Sequence, residues 1–333
     1  MTNAIKVEDL TKIYGSSESG VLAVDQINFT VEQGEIFGFL GPNGAGKTTT
    51  QRMLTTLLEP TSGRIWIHGN DLAKDAYPAK KIIGLVPEES NVYLELSAWD
   101  NLMFTASIYL VPKAERASRA SDLLKMFDLY DKREIKAENY SKGMRRKLSI
   151  AMAIIHKPTL LFLDEATTGL DALSTREIRN LIRQMNDEGT TVFMTTHLIE
   201  EANQLCDRVA IINHGKIATI DTPENLKQTV ERVQSIVVAL EPNGQTHGDG
   251  LRALPGVINA VKMGDKWRLY AENPSDLLPL IMGYADKHNL RVVSLNMLAP
   301  SLEDVYLEIT GGEVGSELNN LKENQSTKQK KRR

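Results

Sequence analysis

Gly41-Pro42-Asn43-Gly44-Ala45-Gly46-Lys47-Thr48 sets glycines, a lysine and a hydroxyl in the pattern G-x-x-x-x-G-K-[ST]. These residue types suit one chemistry. The glycines let the backbone curl so that successive N–H groups face phosphate oxygens. A helix beginning at Gly46 adds the positive end of its dipole beneath them. Lys47 carries a cation to the β- and γ-phosphates, and the Thr48 hydroxyl is a ligand for Mg²⁺. Far down the chain, the apolar run Leu160-Leu161-Phe162-Leu163 ends in Asp164 and Glu165. A carboxylate closing such a strand is placed to meet the Mg²⁺ of a bound nucleotide, and that role falls to Asp164. Glu165, one residue on, can face the terminal phosphate. There it can orient an attacking water or take its proton, a contribution of roughly 10²–10⁴-fold. A chance glycine-rich turn does not account for strand, loop and helix in succession. The pattern predicts nucleoside triphosphate binding and leaves the class of nucleotide enzyme open.

Those groups need a frame. Glu35–Leu40 reads as a short apolar strand running into the loop, and Gly46–Leu58 as the helix leaving it. Further strands are predicted over Val21–Val31, Arg64–His68, Ile82–Val86, Thr159–Leu163 and Thr191–Thr195. Helices are predicted over Leu102–Leu110, Ala114–Tyr130, Lys142–His156 and Leu173–Asn186. Strands crossed over by helices predict an α/β fold with a mainly parallel sheet covered on both faces. The stretch 89–157 is mainly helical and interrupts the alternation as an insert. A boundary falls at Asp221-Thr222-Pro223, closing a first domain at 1–222. Beyond it come a strand at Ser235–Leu240, a polar linker at 241–250, and a hairpin of Val257–Lys262 and Trp267–Ala271 turned at Gly264-Asp265. A helix at Ser275–His288, a strand at Leu290–Leu298 and a helix at Leu302–Ile309 complete the pattern. This order predicts a small α+β domain over 223–311, of ferredoxin-like kind. Residues 312–333 are polar and end in a basic cluster, which predicts a disordered tail. A solvated tail is favoured there over contact with anionic lipid.

Composition bounds the rest. At roughly 100–200 residues per domain, a chain of 333 fits two domains. An apolar share of 41% and a charged share of 25% are those of a globular chain, excluding global disorder and fibrous rods. Lys and Arg number 39 against 43 Asp and Glu, so the net charge is −4. That balance is too mild to mark a nucleic-acid partner. The single cysteine, Cys206, excludes a disulfide scaffold and reads as a small buried apolar residue. No run approaches the roughly 18 apolar residues of a membrane span; Leu148–Leu163 is broken by His156, Lys157 and Pro158. The first ten residues lack the basic flank and apolar run of a signal peptide. A soluble chain is expected, held at any membrane by something else.

Further motifs narrow the class. Tyr140-Ser141-Lys142-Gly143-Met144 lies just upstream of the carboxylate strand, and it resembles the signature motif of the ATP-binding cassette (ABC) family, usually L-S-G-G-Q or L-S-G-G-M. Gly169-Leu170-Asp171 resembles the family's D-loop, and His197, just after a strand, its switch histidine. Tyr14 matches the aromatic that stacks on adenine. These motifs follow family order over roughly residues 4–222.

The resemblance implies an ATP- and Mg²⁺-dependent ATPase. ATP is contacted by Tyr14, by Gly41, Pro42, Asn43, Gly44, Ala45, Gly46, Lys47 and Thr48, and by the following Thr49. Glu165 and His197 are catalytic, and Thr48, Glu88 and Asp164 are the residues at the metal. Ser141 and Gly143 open a helix, whose N-terminus suits a phosphate. As the resemblance implies, Ser141, Lys142, Gly143 and Met144 serve the ATP of a second copy of the chain, in a head-to-tail dimer with Asp171 at the shared face. It also implies a separate transmembrane permease, with this chain peripheral on the cytoplasmic face and the helical insert carrying the docking groove. Ala299-Pro300-Ser301-Leu302-Glu303-Asp304-Val305-Tyr306-Leu307 resembles the segment closing the accessory domain of drug- and sodium-exporter-type subunits, which implies export. Met144-Arg145-Arg146-Lys147 fits the same subgroup.

Two positions depart from the family. Glu88 stands in Val86-Pro87-Glu88-Glu89-Ser90 where glutamine is usual; a carboxylate still ligates Mg²⁺ but repels the γ-phosphate if the metal is absent. Tyr140 and Lys142 replace the commoner leucine and glycine, and Lys142 adds a positive charge. Rival readings are an ABC ATPase without a membrane partner and a regulatory module that binds ATP without turnover. One Lys47-type loop and no long coiled coil argue against translation-factor and DNA-repair relatives. Glu165 and His197 argue for turnover.

Overall fold

A computed structural model of the chain describes residues 3–15, 20–229, 234–241, 248–271, 273–298 and 301–310. The basic-ended tail, the Ala299-Pro300 pair and the linker residues 242–247 lie outside the described residues. The chain divides into two compact units, Met1–Thr222 and Pro223–Arg333.

In the first unit the order is β1 (Asn3–Tyr14), β2 (Val21–Glu32), β3 (Ile36–Leu40), α1 (Lys47–Leu54), β4 (Ser62–Ile67), β5 (Asn70–Asp71), α2 (Tyr77–Ile82) and β6 (Ile83–Val86). The helical stretch follows as α3 (Ala98–Ile108), α4 (Lys113–Met126) and α5 (Lys142–Ile154). Then come β7 (Leu160–Asp164), α6 (Ala172–Asp187), β8 (Thr191–Thr196), α7 (Ile199–Leu205), β9 (Arg208–Asn213) and β10 (Lys216–Asp221). Six strands form one sheet in the order β10-β9-β3-β8-β7-β6. All its neighbours are parallel except the β9–β10 hairpin. A second sheet, β2-β1-β4-β5, is antiparallel throughout. The fold is therefore a mixed one: the predicted strands at Val21–Val31 and Arg64–His68 fall in the antiparallel sheet and the others of this unit in the mainly parallel one.

Strand β3 explains how the loop is held. All five of its residues are buried, as a central parallel strand requires. Phe37 and Phe39 alternate onto one face and meet Phe29 of β2 and Phe193 of β8, with ring centroids 5.6–5.9 Å apart. This aromatic cluster joins the two sheets, and each buried ring contributes about 1.5–3 kcal/mol. Gly38 points to the other face, where a Cβ would stand 2.6 Å from Cys206 Sγ at the end of α7. The cysteine is buried, and burial pushes its thiol well above the ordinary value.

Two helices are shorter than their apolar spacing suggests. α1 stops at Leu54 because Thr56 takes a left-handed φ of 62°, and α4 stops at Met126 ahead of Asp128 at 55°. Each positive φ breaks the helical run where the pattern alone would continue.

The second unit begins with α8 (Pro223–Thr229) and continues β11 (Gln234–Glu241), α9 (Gly248–Arg252), β12 (Val257–Met263), β13 (Lys266–Ala271), α10 (Pro274–Lys287), β14 (Arg291–Leu298) and α11 (Leu302–Thr310). Its sheet order, β12-β13-β11-β14, is antiparallel. A βαββαβ succession with that order is the ferredoxin-like arrangement. Ile236, Val238, Leu269, Leu277 and Ile281 lie in its core. A buried ion pair, Arg268 Nη2 to Asp304 Oδ2 at 2.9 Å, ties β13 to α11.

Candidate active site

The parallel strands deliver their C-terminal ends to one edge, where β3 opens into the glycine loop, β7 ends in Asp164 and β8 leads to His197. At the loop's end Gly46 is the N-cap of α1, with φ 107°. A Cβ there would lie 2.6 Å from the Ala23 carbonyl oxygen, so both backbone angle and space require glycine. Ala45 N–H donates to the Pro42 carbonyl and Gly215 N–H to the Ala45 carbonyl, at 3.2 and 3.0 Å. Lys47 is buried, and its ammonium donates to the carbonyls of Gly41 and Pro42 at 2.8 and 3.2 Å. The same ammonium lies 3.5 Å from Glu165 Oε1.

The two carboxylates are both buried, and their surroundings shift them in opposite directions. The Thr48 and Thr195 hydroxyls both donate to Asp164 Oδ1, the former at 3.5 Å. Burial pushes the Asp164 carboxyl above its ordinary value; Thr195 opposes that shift and the Glu165 charge adds to it. At Glu165 burial also works upward, but His197, Lys47 and the Thr168 hydroxyl outweigh it and hold this carboxyl low. Thr168 Oγ1 donates to Glu165 Oε2 at 3.2 Å. His197 Nδ1 lies 2.9 Å from the same oxygen, an ion-pair distance at an angle that misses a hydrogen bond.

Glu165 also has a left-handed backbone, φ 46°. Such a φ costs a residue other than glycine about 1–3 kcal/mol and persists only where neighbours fix it. Here the Glu165 N–H donates to the Thr195 carbonyl at 3.1 Å, and the Thr168 N–H donates to the Glu165 carbonyl at 3.1 Å.

Lys47, Thr48, Asp164, Glu165 and His197 thus stand together. Tyr14 joins them at the start of α1, its hydroxyl 3.4 Å from Thr49 Oγ1. The remaining motifs form a neighbouring group. Ser141 is the N-cap of α5, its hydroxyl accepting from Met144 N–H at 3.2 Å. Asp171 is the N-cap of α6; Ser174 N–H donates to its Oδ1 at 2.9 Å and the Ser174 Oγ hydroxyl to its Oδ2 at 2.7 Å. A Cβ on Gly143 would lie 2.5 Å from the Ser174 hydroxyl, and one on Gly169 would meet the Lys142 ammonium. Lys142 therefore leans on the Gly169 turn of its own chain. Exposed Glu88, in the loop after β6, lines a cavity of about 510 Å³ with Lys142, Arg145, Arg146 and Thr168. Thr195 and Thr168 were not singled out from sequence, and Arg146 only as part of the run Met144–Lys147; no local pattern marks their contacts.

A loop of backbone N–H groups, a buried lysine and strand-end carboxylates on a parallel sheet define a P-loop nucleotide hydrolase. A family model described as ABC transporter matches residues 24–168. The linearmycin resistance ATP-binding protein LnrL of Bacillus subtilis is 33% identical, over 92% of this chain and 98% of that protein. The bacitracin transport ATP-binding protein BcrA of Bacillus licheniformis is 34% identical, over 94% and 99%. A dimeric post-hydrolysis structure of the ATP-binding cassette MJ0796 bound to ADP and Pi superposes with a TM-score of 0.60 at 25% identity, over 66% of this chain and 98% of that one. The chain belongs to the ATP-binding subunits of the ABC transporter family.

Proposed function

We propose that the chain hydrolyses ATP with Mg²⁺ to drive export through a separate membrane permease, by ATP-dependent closure of a head-to-tail dimer of two copies. The observation that carries this reading is the convergence of Lys47, Asp164, Glu165 and His197, with Lys47 and His197 both within ion-pair distance of Glu165.

The loop N–H groups and Lys47 bind and orient the phosphates, with Tyr14 beneath the adenine. Thr48 and Asp164 offer one hydroxyl and one carboxylate side by side, an oxygen set of the kind that holds Mg²⁺ together with phosphate oxygens; Glu88 would add a third oxygen. Bound there, Mg²⁺ would neutralise charge developing on the phosphates. Glu165, ionised across the neutral range, orients the attacking water and accepts its proton. His197 fixes the Glu165 carboxylate and faces the γ-phosphate. Ser141, Lys142, Gly143 and Met144, with Asp171, meet the nucleotide of the other copy.

Residues 1–222 form the catalytic cassette, the insert at 89–157 receives the permease and 223–311 is an accessory domain. The chain is peripheral on the cytoplasmic face and has no nucleic-acid partner. Among the described residues no helix is long and apolar enough to cross a membrane. Export is supported by the relatives' own names, one for linearmycin resistance and one for bacitracin transport.

Lys47→Ala tests the nucleotide site: calorimetry should show ATP affinity largely lost, and unchanged affinity would contradict the loop's role. Co-purification from detergent-extracted membranes tests the coupling: a membrane subunit is expected, and soluble partners alone would favour an ABC ATPase without a permease.

A further inference from the structure

Arg146 lies in the fifth helix, one turn beyond the Ser141 cap, and is only 5% exposed. Burying a guanidinium is costly unless its N–H groups are matched. Here Nη1 donates to the Pro87 carbonyl at 2.6 Å and Nη2 to the Glu88 carbonyl. The fork of one arginine therefore grips two successive carbonyls of a loop 58 residues away in sequence, a geometry that a point-charge lysine cannot copy. Burial pushes this guanidinium below its ordinary value, and the charges of Asp164 and Glu88 oppose that shift. Arg146 also lines the cavity that separates the Glu88 loop from the signature helix.

We propose that Arg146 is a positioning residue that fastens the Glu88 loop to the signature helix and so sets where Glu88 stands for a bound Mg²⁺. This rests on the ATPase reading above. The helix whose N-terminus serves the other copy's nucleotide and the loop that reaches this copy's metal then move as one piece.

The test is the Mg²⁺ dependence of binding of a fluorescent, non-hydrolysable ATP analogue, measured on the full chain. R146M should leave analogue affinity in EDTA within twofold of the wild type. It should raise the half-saturating Mg²⁺ concentration about tenfold, the lower end of the loss caused by removing a group that orients a metal ligand. If Arg146 acts through Glu88, R146M/E88Q should need no more Mg²⁺ than the worse single variant. Should R146M fail to fold, R146K keeps the stem and charge but not the two-carbonyl grip, and a rise in the Mg²⁺ requirement is expected there too. An unchanged Mg²⁺ requirement in the folded variant, or additive losses in the double variant, would overturn the proposal while leaving the ATPase reading intact. Wild-type protein that bound the analogue no better with Mg²⁺ than in EDTA would overturn both.

Discussion

The Lys47 ammonium lies 3.5 Å from one carboxylate oxygen of Glu165, and His197 Nδ1 lies 2.9 Å from the other. The cation that would bind phosphate and the histidine that follows β8 therefore act on one carboxylate. It is held low by them, while the adjacent Asp164 is pushed high by burial. Two neighbouring acids, separated by environment, are suited to different tasks.

The raised Asp164 carboxyl bears on stability. The shift arises in the folded chain, so the folded state favours the protonated form and the charge opposes folding at neutral pH. Asp164→Asn should raise Tm near neutral pH. The gain should shrink as pH falls through the raised Asp164 value, where the wild type loses its charge too. The same variant should lose Mg²⁺-dependent ATP turnover. Thermal melts across pH check the first claim, and a lower Tm for Asp164→Asn at neutral pH would contradict it.

Gly46 and Gly44 both have positive φ, 107° and 79°, but only Gly46 faces an obstruction. Gly44→Ala should therefore suffer the backbone term alone, about 1–2 kcal/mol. Gly46→Ala adds a clash with the Ala23 carbonyl and should lose more. Denaturation without nucleotide orders the two variants, and equal losses would argue against the clash.

The Arg268–Asp304 pair is buried on both sides. Asp304 also accepts from Ser301 N–H and its hydroxyl at 2.8 and 2.7 Å. Arg268→Ala leaves that carboxylate unpaired in the interior, which costs about 3–5 kcal/mol. Calorimetry of the full chain should show the transition of the second unit fall, while nucleotide affinity stays within twofold of the wild type.

The loop and the two carboxylates were legible in sequence because each is written in consecutive residues: a glycine pattern after an apolar strand, and an apolar strand ending in Asp164-Glu165. Of the antiparallel sheet, β2 and β4 were legible and β1 was not. β1 alternates irregularly through Lys6, Glu8, Asp9 and Lys12, and its pairing with β2 shifts register repeatedly, so no clean period of two survives. The β9–β10 hairpin was passed over as well, since its second strand is half-exposed and mixed in character. Arg146 was noted only as part of a basic run after the signature. Its partners are backbone carbonyls, which leave no trace in residue type. Thr195 and Thr168 act likewise through folded proximity to Asp164 and Glu165.

The central claim is that Glu165 serves the water in a site completed by a second copy. The direct measurement is the ATPase rate of Glu165→Gln, followed by its mass in solution with Mg²⁺ and ATP. The account predicts hydrolysis lower by about 10²–10⁴-fold and a dimer that persists with ATP bound. Wild-type turnover in that variant, or a monomer at saturating ATP, would contradict it.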